Sequence, residues 1–340
     1  MTEPSSTSPK IAPVGPPKPG QSIPEYTMLV AGWLRENFMA GVHVSEVAAN
    51  DPHIGIAGAM EMISPVAKDF PNFNKPLKIP GLKDDQVSWF VEAEHRTEND
   101  PVIIYIHGGG YAFGIYPSML ECLQLVYEGA ANPRLSILVL DYTLSGSGGV
   151  YPQQLIESSL VYNALCKTSN NIWLMGDSAG AHASLSLVRH IHYPEESLPV
   201  IDKGNLPKGL ILISPWVNLH PTFSGSYKEY LGQDSLTSTI LCQMGELFQP
   251  DTDLVDSELL NHYKASKVDW DAILPKHSNI FVSLGQKEVL RDDIEAFIKL
   301  AKLQDATVYS QPDGTHDESA FFPGQTPLTG EIIKFVKSIV

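Results

Sequence analysis

Short, continuous apolar runs alternate along the chain with segments in which apolar residues recur at helical spacing. Continuous aliphatic runs predict strands that are buried on both faces, whereas a 3.6-residue period predicts helices. The predicted strands are 87–93, 102–106, 136–140, 172–175, 209–213, 280–284 and 307–310, and the predicted helices are 26–38, 119–127, 155–166, 181–190, 292–303 and 329–340. This alternation predicts an α/β fold with a mostly parallel central sheet and helices on both faces.

Three stretches depart from the alternation. Residues 1–22 are rich in proline and serine, and we expect a disordered tail there. Residues 42–78 contain four prolines and are expected to be irregular, whereas residues 216–274 are aromatic and helical in places and are expected to form an insertion above the sheet. Because α/β folds of this length often form one unit, we predict a single domain over residues 23–340.

The composition limits the classes of partner. The formal net charge is −16, so the surface repels phosphate backbones and a nucleic-acid partner is not expected. No stretch approaches the roughly 20 apolar residues that span a bilayer, so no transmembrane segment is expected. The N-terminus also lacks the apolar run of a signal peptide. Three cysteines without a CxxC pattern predict free thiols and a cytoplasmic location.

A glycine-rich loop follows the predicted strand 102–106, with the sequence HGGGY at 107–111. In parallel α/β sheets, ligands bind outside the carboxyl ends of the strands. Glycines expose backbone N–H groups without side chains in the way, which suits an oxyanion hole. A flexible turn and a phosphate loop are the alternatives, although the Lys-Ser/Thr pair of a phosphate loop does not follow.

A second motif, GDSAG at 176–180, follows the strand 172–175 and precedes a predicted helix. A serine on such a strand–turn–helix elbow is held in a strained conformation with its Oγ exposed. The N–H of Ala179, at the start of the helix, is then a further oxyanion donor. The alternative is an ordinary βα turn with a capping serine, and the presence of HGGG makes the elbow the better interpretation.

A serine of ordinary pKa needs a neighbouring base. We interpret His316 as this base, because it lies in a loop after the last short strand, at the carboxyl edge of the predicted sheet; a surface histidine is the alternative. The base in turn needs an acid that orients it. Glu288 follows strand 280–284 and is favoured over Asp292, which is better explained as a charge at a helix N-terminus.

Taken together, these motifs resemble the α/β-hydrolase superfamily, specifically the hormone-sensitive-lipase-like carboxylesterases, over about residues 85–340. The supporting motifs are HGGGY (107–111), LDYTL (140–144), YPQQL (151–155), GDSAG (176–180), SPW (214–216), EVLRDD (288–293) and GTH (314–316). The resemblance implies an α/β-hydrolase fold with a helical cap, formed by elements at about 23–80 and 216–274. It also implies catalysis without a metal or cofactor.

The resemblance assigns roles to six residues. It implies that Ser178 is the nucleophile, His316 the base and Glu288 the acid. The oxyanion hole is implied at the N–H groups of Gly109, Gly110 and Ala179.

The chain departs from the family pattern at two places. The usual acid at the position of Glu288 is aspartate. The usual YRLAPE stretch is here YTLSGSGGVY, at 142–151.

The predicted reaction is hydrolysis of a small-molecule carboxylic ester with a small or medium acyl group, through an acyl-enzyme. The acyl pocket is expected to be apolar, and for every candidate lining residue an ordinary core position is the alternative. The candidates are Tyr111, Phe113 and Trp216, followed by Met28, Trp33, Phe38, Tyr227 and Phe248.

Two further hypotheses keep the fold and change the function. The same site serves amide or formamide hydrolases, dehydratases and cyclases of small-molecule metabolism. A non-catalytic small-molecule receptor is the third hypothesis, and it requires His316 to lie away from Ser178. Resembling proteins often form a homodimer through the last strand and helix. The resemblance therefore makes a homodimer a further hypothesis for this chain.

Overall fold

The structure is a computed structural model that describes residues 12–255, 257–258 and 260–340. Residues 1–11 of the predicted tail, which spans residues 1–22, lie outside the described residues. The first helix begins after Ser22, whose hydroxyl accepts from the N–H of Glu25 while the Glu25 carboxylate accepts from the N–H of Ser22. This reciprocal capping box explains why the helix begins at residue 23.

Over the described residues, one sheet of eight strands forms the centre of the molecule, in the order β1-β2-β4-β3-β5-β6-β7-β8. The strands are β1 Lys75–Pro76, β2 Val87–Val91, β3 Val102–Ile106, β4 Ser136–Leu140, β5 Ile172–Asp177, β6 Gly209–Ile213, β7 Ile280–Gly285 and β8 Thr307–Gln311. The pairs β1–β2 and β2–β4 are antiparallel, and the other pairs are parallel. Every residue of β2 to β7 is buried, which explains their continuous apolar sequences.

Helices surround this sheet. They are α1 Ile23–Met39, α2 Val44–Ala48, α3 Gly55–Ala67, α4 Pro117–Ala130, α5 Gln153–Cys166, α6 Ala179–His192, α7 Ser226–Glu229, α8 Ser238–Phe248, α9 Thr252–Val255, α10 Trp270–Ile273, α11 Arg291–Leu300, α12 Glu318–Phe321 and α13 Pro327–Ile339. No helix among the described residues is long and apolar enough to cross a membrane.

The strand order explains how helices come to cover both faces. The connection through α4 leads from β3 to β4 on one side, whereas the connection through α5 leads from β4 back past β3 to β5. Because such crossovers are right-handed, the two helices lie on opposite faces of the sheet. Consistent with this, α4 packs against α3 and α13, and α5 packs against α6. The predicted α/β architecture is confirmed.

The expectation of an irregular segment at 42–78 was wrong, because α2 and α3 lie within it. α3 contains Pro65, although a proline in a helix interior removes a hydrogen bond. Ile56, Met60 and Ile63 recur at helical spacing and are buried, and α3 packs against α4. This burial offsets the effect of the proline. Residues 216–274 contain α7 to α10, so this stretch is helical in places, as predicted.

Candidate active site

Ser178 joins β5 to α6 in a conformation that side-chain-bearing residues rarely adopt, with φ 49° and ψ −113°. Three backbone hydrogen bonds hold it there: its N–H donates to the carbonyl of Ile213 at 2.9 Å, and its carbonyl accepts from the N–H groups of Trp216 and His182, both at 3.1 Å. The strained elbow expected from the GDSAG motif is therefore present.

The glycine at the end of this motif allows a close backbone approach. A Cβ added to Gly180 would lie 1.8 Å from the carbonyl oxygen of Ile106, at the end of β3. A real Cβ does not approach another heavy atom so closely. Gly180 therefore lets α6 begin against β3, which aims the first turn of the helix at the carboxyl edge of the sheet.

Ser178, His316 and Glu288 form one hydrogen-bonded chain. The Ser178 Oγ lies 2.9 Å from His316 Nε2, and His316 Nδ1 lies 2.6 Å from Glu288 Oε1. The other carboxylate oxygen, Oε2, accepts from the Ser214 hydroxyl at 3.0 Å and from the Gly285 N–H at 2.8 Å. All three members of the chain are buried. The arrangement can move a proton from the serine to the imidazole, with the carboxylate holding the ring.

The competing acid lies elsewhere. Asp292 Oδ2 accepts from the N–H of Ser226, and its Oδ1 pairs with Arg291. It therefore ties α7 to α11 and does not contact His316.

Carboxylates around the imidazole dominate its electrostatics. Burial by itself lowers the pKa of His316, but Asp317 and Glu288 outweigh burial, so its pKa stands well above the usual 6.5. A base of raised pKa takes a proton from serine more readily.

The glycine loop approaches the elbow closely. The Gly108 N–H donates to Asp177 Oδ2 at 3.0 Å, and Gly109 has φ +93°, which favours glycine. In the part of the chain that the structure describes, the N–H groups of Gly109, Gly110 and Ala179 donate to no protein acceptor. These three donors are thus free to bind an anionic oxygen.

Residues that the sequence analysis did not single out hold this loop. The Tyr105 hydroxyl donates to Asp177 Oδ1 at 2.6 Å. The Tyr142 hydroxyl lies 2.9 and 2.8 Å from the carbonyl oxygens of His107 and Gly108. Both Asp177 and Tyr142 lie inside quoted motifs, GDSAG and LDYTL, so their place in a motif was the available signal.

A cavity of about 160 Å³ opens above the hydrogen-bonded chain. Ser178, His316, Gly109 and Gly110 line it together with mostly apolar side chains from α1, α4, α8 and α12 and from adjoining loops. The apolar lining residues are Ala31, Leu34, Phe38, Phe113, Met119, Leu236, Leu241, Met244, Phe321 and Phe322. The apolar pocket expected from the sequence is present.

The cavity wall contains only some of the predicted side chains. Phe113 and Phe38 line it, with ring centroids 6.1 Å apart. Tyr111 and Trp216 are corrections, because both are fully buried in the core and do not line the cavity. The Tyr111 ring stacks on Phe248, with ring centroids 4.0 Å apart. Its hydroxyl forms a hydrogen bond with the imidazole of His182 in α6.

The remaining candidates also lie away from the cavity. Trp33, Tyr227 and Phe248 are buried in the core, and Met28 is 67% exposed on the outer side of α1. A large aromatic residue beside a motif signals burial, but its sequence does not show on which side of the backbone the ring lies.

No group of three or more His, Cys, Asp or Glu side chains among the described residues is arranged to hold a metal ion. None of the three cysteines forms a disulfide.

Sequence comparison relates this chain to known proteins. A family described as steryl acetyl hydrolase matches residues 63–320. The chain is 30% identical over 257 residues to a Schizosaccharomyces pombe protein provisionally named a steryl acetyl hydrolase, covering 71% of this chain and 66% of that protein. It is 30% identical over 221 residues to steryl acetyl hydrolase 1 of Saccharomyces cerevisiae, covering 61% of this chain and 49% of that protein. The match spans about two thirds and about half of these two relatives.

Structural comparison gives the same fold. Carboxyl esterase 2 from the mycorrhizal fungus Tuber melanosporum superimposes with a TM-score of 0.63 at 20% identity, covering 87% of this chain and 99% of that chain. An identity this low shows the shared fold alone. The predicted α/β-hydrolase fold is confirmed.

Proposed function

Since the chain belongs to the steryl acetyl hydrolase family, we propose that it is a serine hydrolase that cleaves carboxylic esters through an acyl-enzyme. The observation that carries the proposal is the hydrogen-bonded chain from Ser178 through His316 to Glu288, at 2.9 and 2.6 Å. A nucleophile, a base and an orienting acid in this order are the parts that acyl transfer requires. The receptor hypothesis needs His316 away from Ser178 and receives no support.

In the proposed first step, Ser178 Oγ attacks the ester carbonyl carbon, and its proton passes to His316 Nε2. Glu288 stabilises the resulting imidazolium through the Nδ1–H hydrogen bond. When the tetrahedral intermediate collapses, His316 gives the proton to the leaving alcohol. A water molecule then attacks the acyl-enzyme in the same way, which releases the carboxylic acid and restores the serine hydroxyl.

The charge that develops on the carbonyl oxygen needs donors. We assign this role to the N–H groups of Gly109, Gly110 and Ala179, which have no protein acceptor among the described residues. One such donor is typically worth about 3 kcal/mol of transition-state stabilisation. Ala179 also begins α6, so the dipole of that helix adds to the effect.

The acyl group of the proposed substrate is short. A dry cavity of about 150 Å³ holds one benzene, so a cavity of about 160 Å³ has room for a small acyl chain. Two relatives are named steryl acetyl hydrolases, which supports an acetyl group on a sterol. A sterol is too large for this volume, so its rings would remain outside while the acetyl group enters.

Turnover of p-nitrophenyl acetate, butyrate and octanoate tests the proposal, together with a steryl acetate in detergent. We expect the short esters to be preferred, and Ser178→Ala to lower kcat by about 10⁴- to 10⁶-fold. Ser235→Ala is the matched control, because Ser235 lines the same cavity outside the hydrogen-bonded chain. Absence of both turnover and labelling of Ser178 by an organophosphonate would contradict the proposal.

We also propose the domain arrangement and the location that the sequence predicts. The helices α1 to α3 and α7 to α10 support a single catalytic domain over 23–340 with cap elements at about 23–80 and 216–274. Free thiols support a cytoplasmic location. The homodimer stays a prediction.

A further inference from the structure

A second carboxyl group touches the proton-accepting nitrogen of the site. Asp317 Oδ2 lies 3.1 Å from His316 Nε2, the same nitrogen that lies 2.9 Å from the Ser178 Oγ. Asp317 is 3% exposed and lines the cavity, and its Oδ1 is buried without a hydrogen-bond partner among the described residues. Its side chain does not cap the helix that follows. Among the described residues, the one polar atom in hydrogen-bond contact with this carboxyl group is therefore His316 Nε2.

The position of Asp317 matters because Nε2 can hold only one proton. A neutral imidazole that donates its Nδ1–H to Glu288 presents a lone pair at Nε2. This lone pair can accept a proton from Ser178. An ionised Asp317 has no proton to donate to it, so the 3.1 Å contact becomes favourable only when a proton lies between Asp317 and Nε2. That proton blocks the lone pair.

We propose that Asp317 is a further catalytic residue, which shares a proton with His316 Nε2 and must release it to solvent before Ser178 can be activated. This inference rests on the proposed serine-hydrolase function. After the release, the Asp317 carboxylate stays beside Nε2 and stabilises the imidazolium that forms when Ser178 gives up its own proton. Asp317 thus makes His316 a stronger base. It also raises the pH at which the Nε2 lone pair becomes free to accept the serine proton.

The surroundings favour retention of the shared proton. Among the described residues, acids from four elements interact with the pair: Tyr105 of β3, Asp177 at the end of β5, Asp234 before α8 and Glu288 after β7. Arg35 and Glu318 line the same cavity. Burial raises the pKa of Asp317, and Asp177 and Glu288 raise it further, against the opposing effect of His316. A site with this excess of carboxyl groups holds an additional proton near neutral pH.

The pH dependence of kcat/KM for p-nitrophenyl acetate, in wild type and Asp317→Asn, tests the inference. Asparagine keeps the shape of the side chain and tolerates the left-handed backbone at this position, where φ is 54°. We expect the acid limb of the variant to lie about one pH unit or more below that of wild type. At a pH below both acid limbs, kcat/KM divided by its plateau value should then be about tenfold higher in the variant than in wild type. We also expect a lower plateau at high pH, because the base is weaker.

Asp313→Asn is the matched control. Asp313 lies in the same loop, also has a left-handed backbone, and its side chain is 81% exposed and paired with Lys287. Its pH profile should coincide with that of wild type. A second measurement requires no variant at Asp317. The chemical shift of the low-field His316 Nδ1–H proton in wild type should change with pH, with a midpoint above pH 6.5.

An acid limb of Asp317→Asn at the same pH as wild type would overturn the inference, as would titration of the His316 signal at or below pH 6.5. These results differ from a failure of the proposed function. If wild type neither turns over esters nor reacts with an organophosphonate, the serine-hydrolase proposal itself fails, and the Asp317 proposal fails with it.

Discussion

The floor and the roof of the cavity are built in different ways. The floor consists of the loops after β3, β5, β7 and β8, where backbone lies against backbone, as at Gly180 and Ile106. The roof consists of α1 and α8, which line the cavity with side chains, and Phe38 of α1 meets Phe113 of the loop after β3 edge to face. Backbone contact leaves no room for an added carbon, whereas side-chain contact can repack. The floor should therefore determine whether the protein reacts, and the roof with which acyl group.

Gly180→Ala should have the largest effect. Its Cβ would lie 1.8 Å from the Ile106 carbonyl oxygen, so the elbow cannot form without moving β3 or α6. We expect destabilisation of more than about 3 kcal/mol or failure to fold, measured by urea unfolding and esterase activity. Gly330→Ala is the control: nothing lies within 4 Å of its Cβ, so it should stabilise α13 by up to about 1 kcal/mol. Equal effects of the two substitutions would contradict the distinction.

Glu288→Gln should rank second. It keeps the shape of the side chain but removes the charge that faces His316 Nδ1 at 2.6 Å. Neutralising the acid of a triad lowers kcat by about 10⁴-fold, and we expect a loss of this order with stability reduced far less. Asp292→Asn should leave kcat nearly unchanged. The reverse ranking of kcat values would assign the acid to Asp292 and refute the role of Glu288.

The contact between α6 and the 216–274 insertion should weaken in acid. His182 of α6 and His262 of the insertion stack at 4.6 Å, and burial lowers the pKa of His182 to about 4 and that of His262 well below 6.5. Both are neutral when folded, whereas the unfolded chain binds their protons below pH 6.5. Stability from this pair is complete above pH 6.5 and is lost as the pH falls towards 4, by up to about 3 kcal/mol for His182.

Urea unfolding at pH 7.5, 5.5 and 4.5 measures this loss. Because His262→Gln removes one of the two titrating groups, its stability should fall less steeply with acid than that of wild type. Identical slopes in the two proteins would show that the histidine pair does not carry the acid sensitivity.

Phe38→Ala should have the smallest effect and should change selectivity rather than rate. Phe38 lines the cavity, so its truncation makes room for a longer acyl chain. We expect the ratio of kcat/KM for p-nitrophenyl octanoate to that for acetate to rise about tenfold. Met28→Ala is the control on the outer side of the same helix, where the side chain is 67% exposed. If the ratio changes by the same factor in both variants, the roof does not determine the acyl length that the protein accepts.

Much of the floor could be predicted because its signals are local. The runs at 102–106, 136–140, 172–175 and 209–213 match strands that are buried along their whole length. The elbow around Ser178 could be predicted since only glycine allows the close approach at position 180. The loops that follow the strands then meet at one edge of the sheet, as they do in any parallel sheet.

The helices of residues 42–78 and the directions of the large aromatic side chains could be predicted far less well. The prolines of residues 42–78 suggested irregular structure, yet α2 and α3 form there because their buried faces pack against the rest of the molecule. Tyr111 and Trp216 were expected in the pocket, but both rings lie in the core. Local propensity does not include the free energy of long-range packing, and residue type alone does not show which surface a ring contacts.

The sequence by itself determined the fold class, the elbow at Ser178 and the preference for Glu288 over Asp292, because each depends on a short run of neighbouring residues. Only the tertiary structure decided that His316 meets a serine 138 residues away. It also decided that Phe38 and Phe113 face the cavity and that Asp317 reaches Nε2. These contacts depend on how distant segments pack and on the direction in which each side chain leaves the backbone, and neither property is encoded in the local pattern of apolar and polar residues.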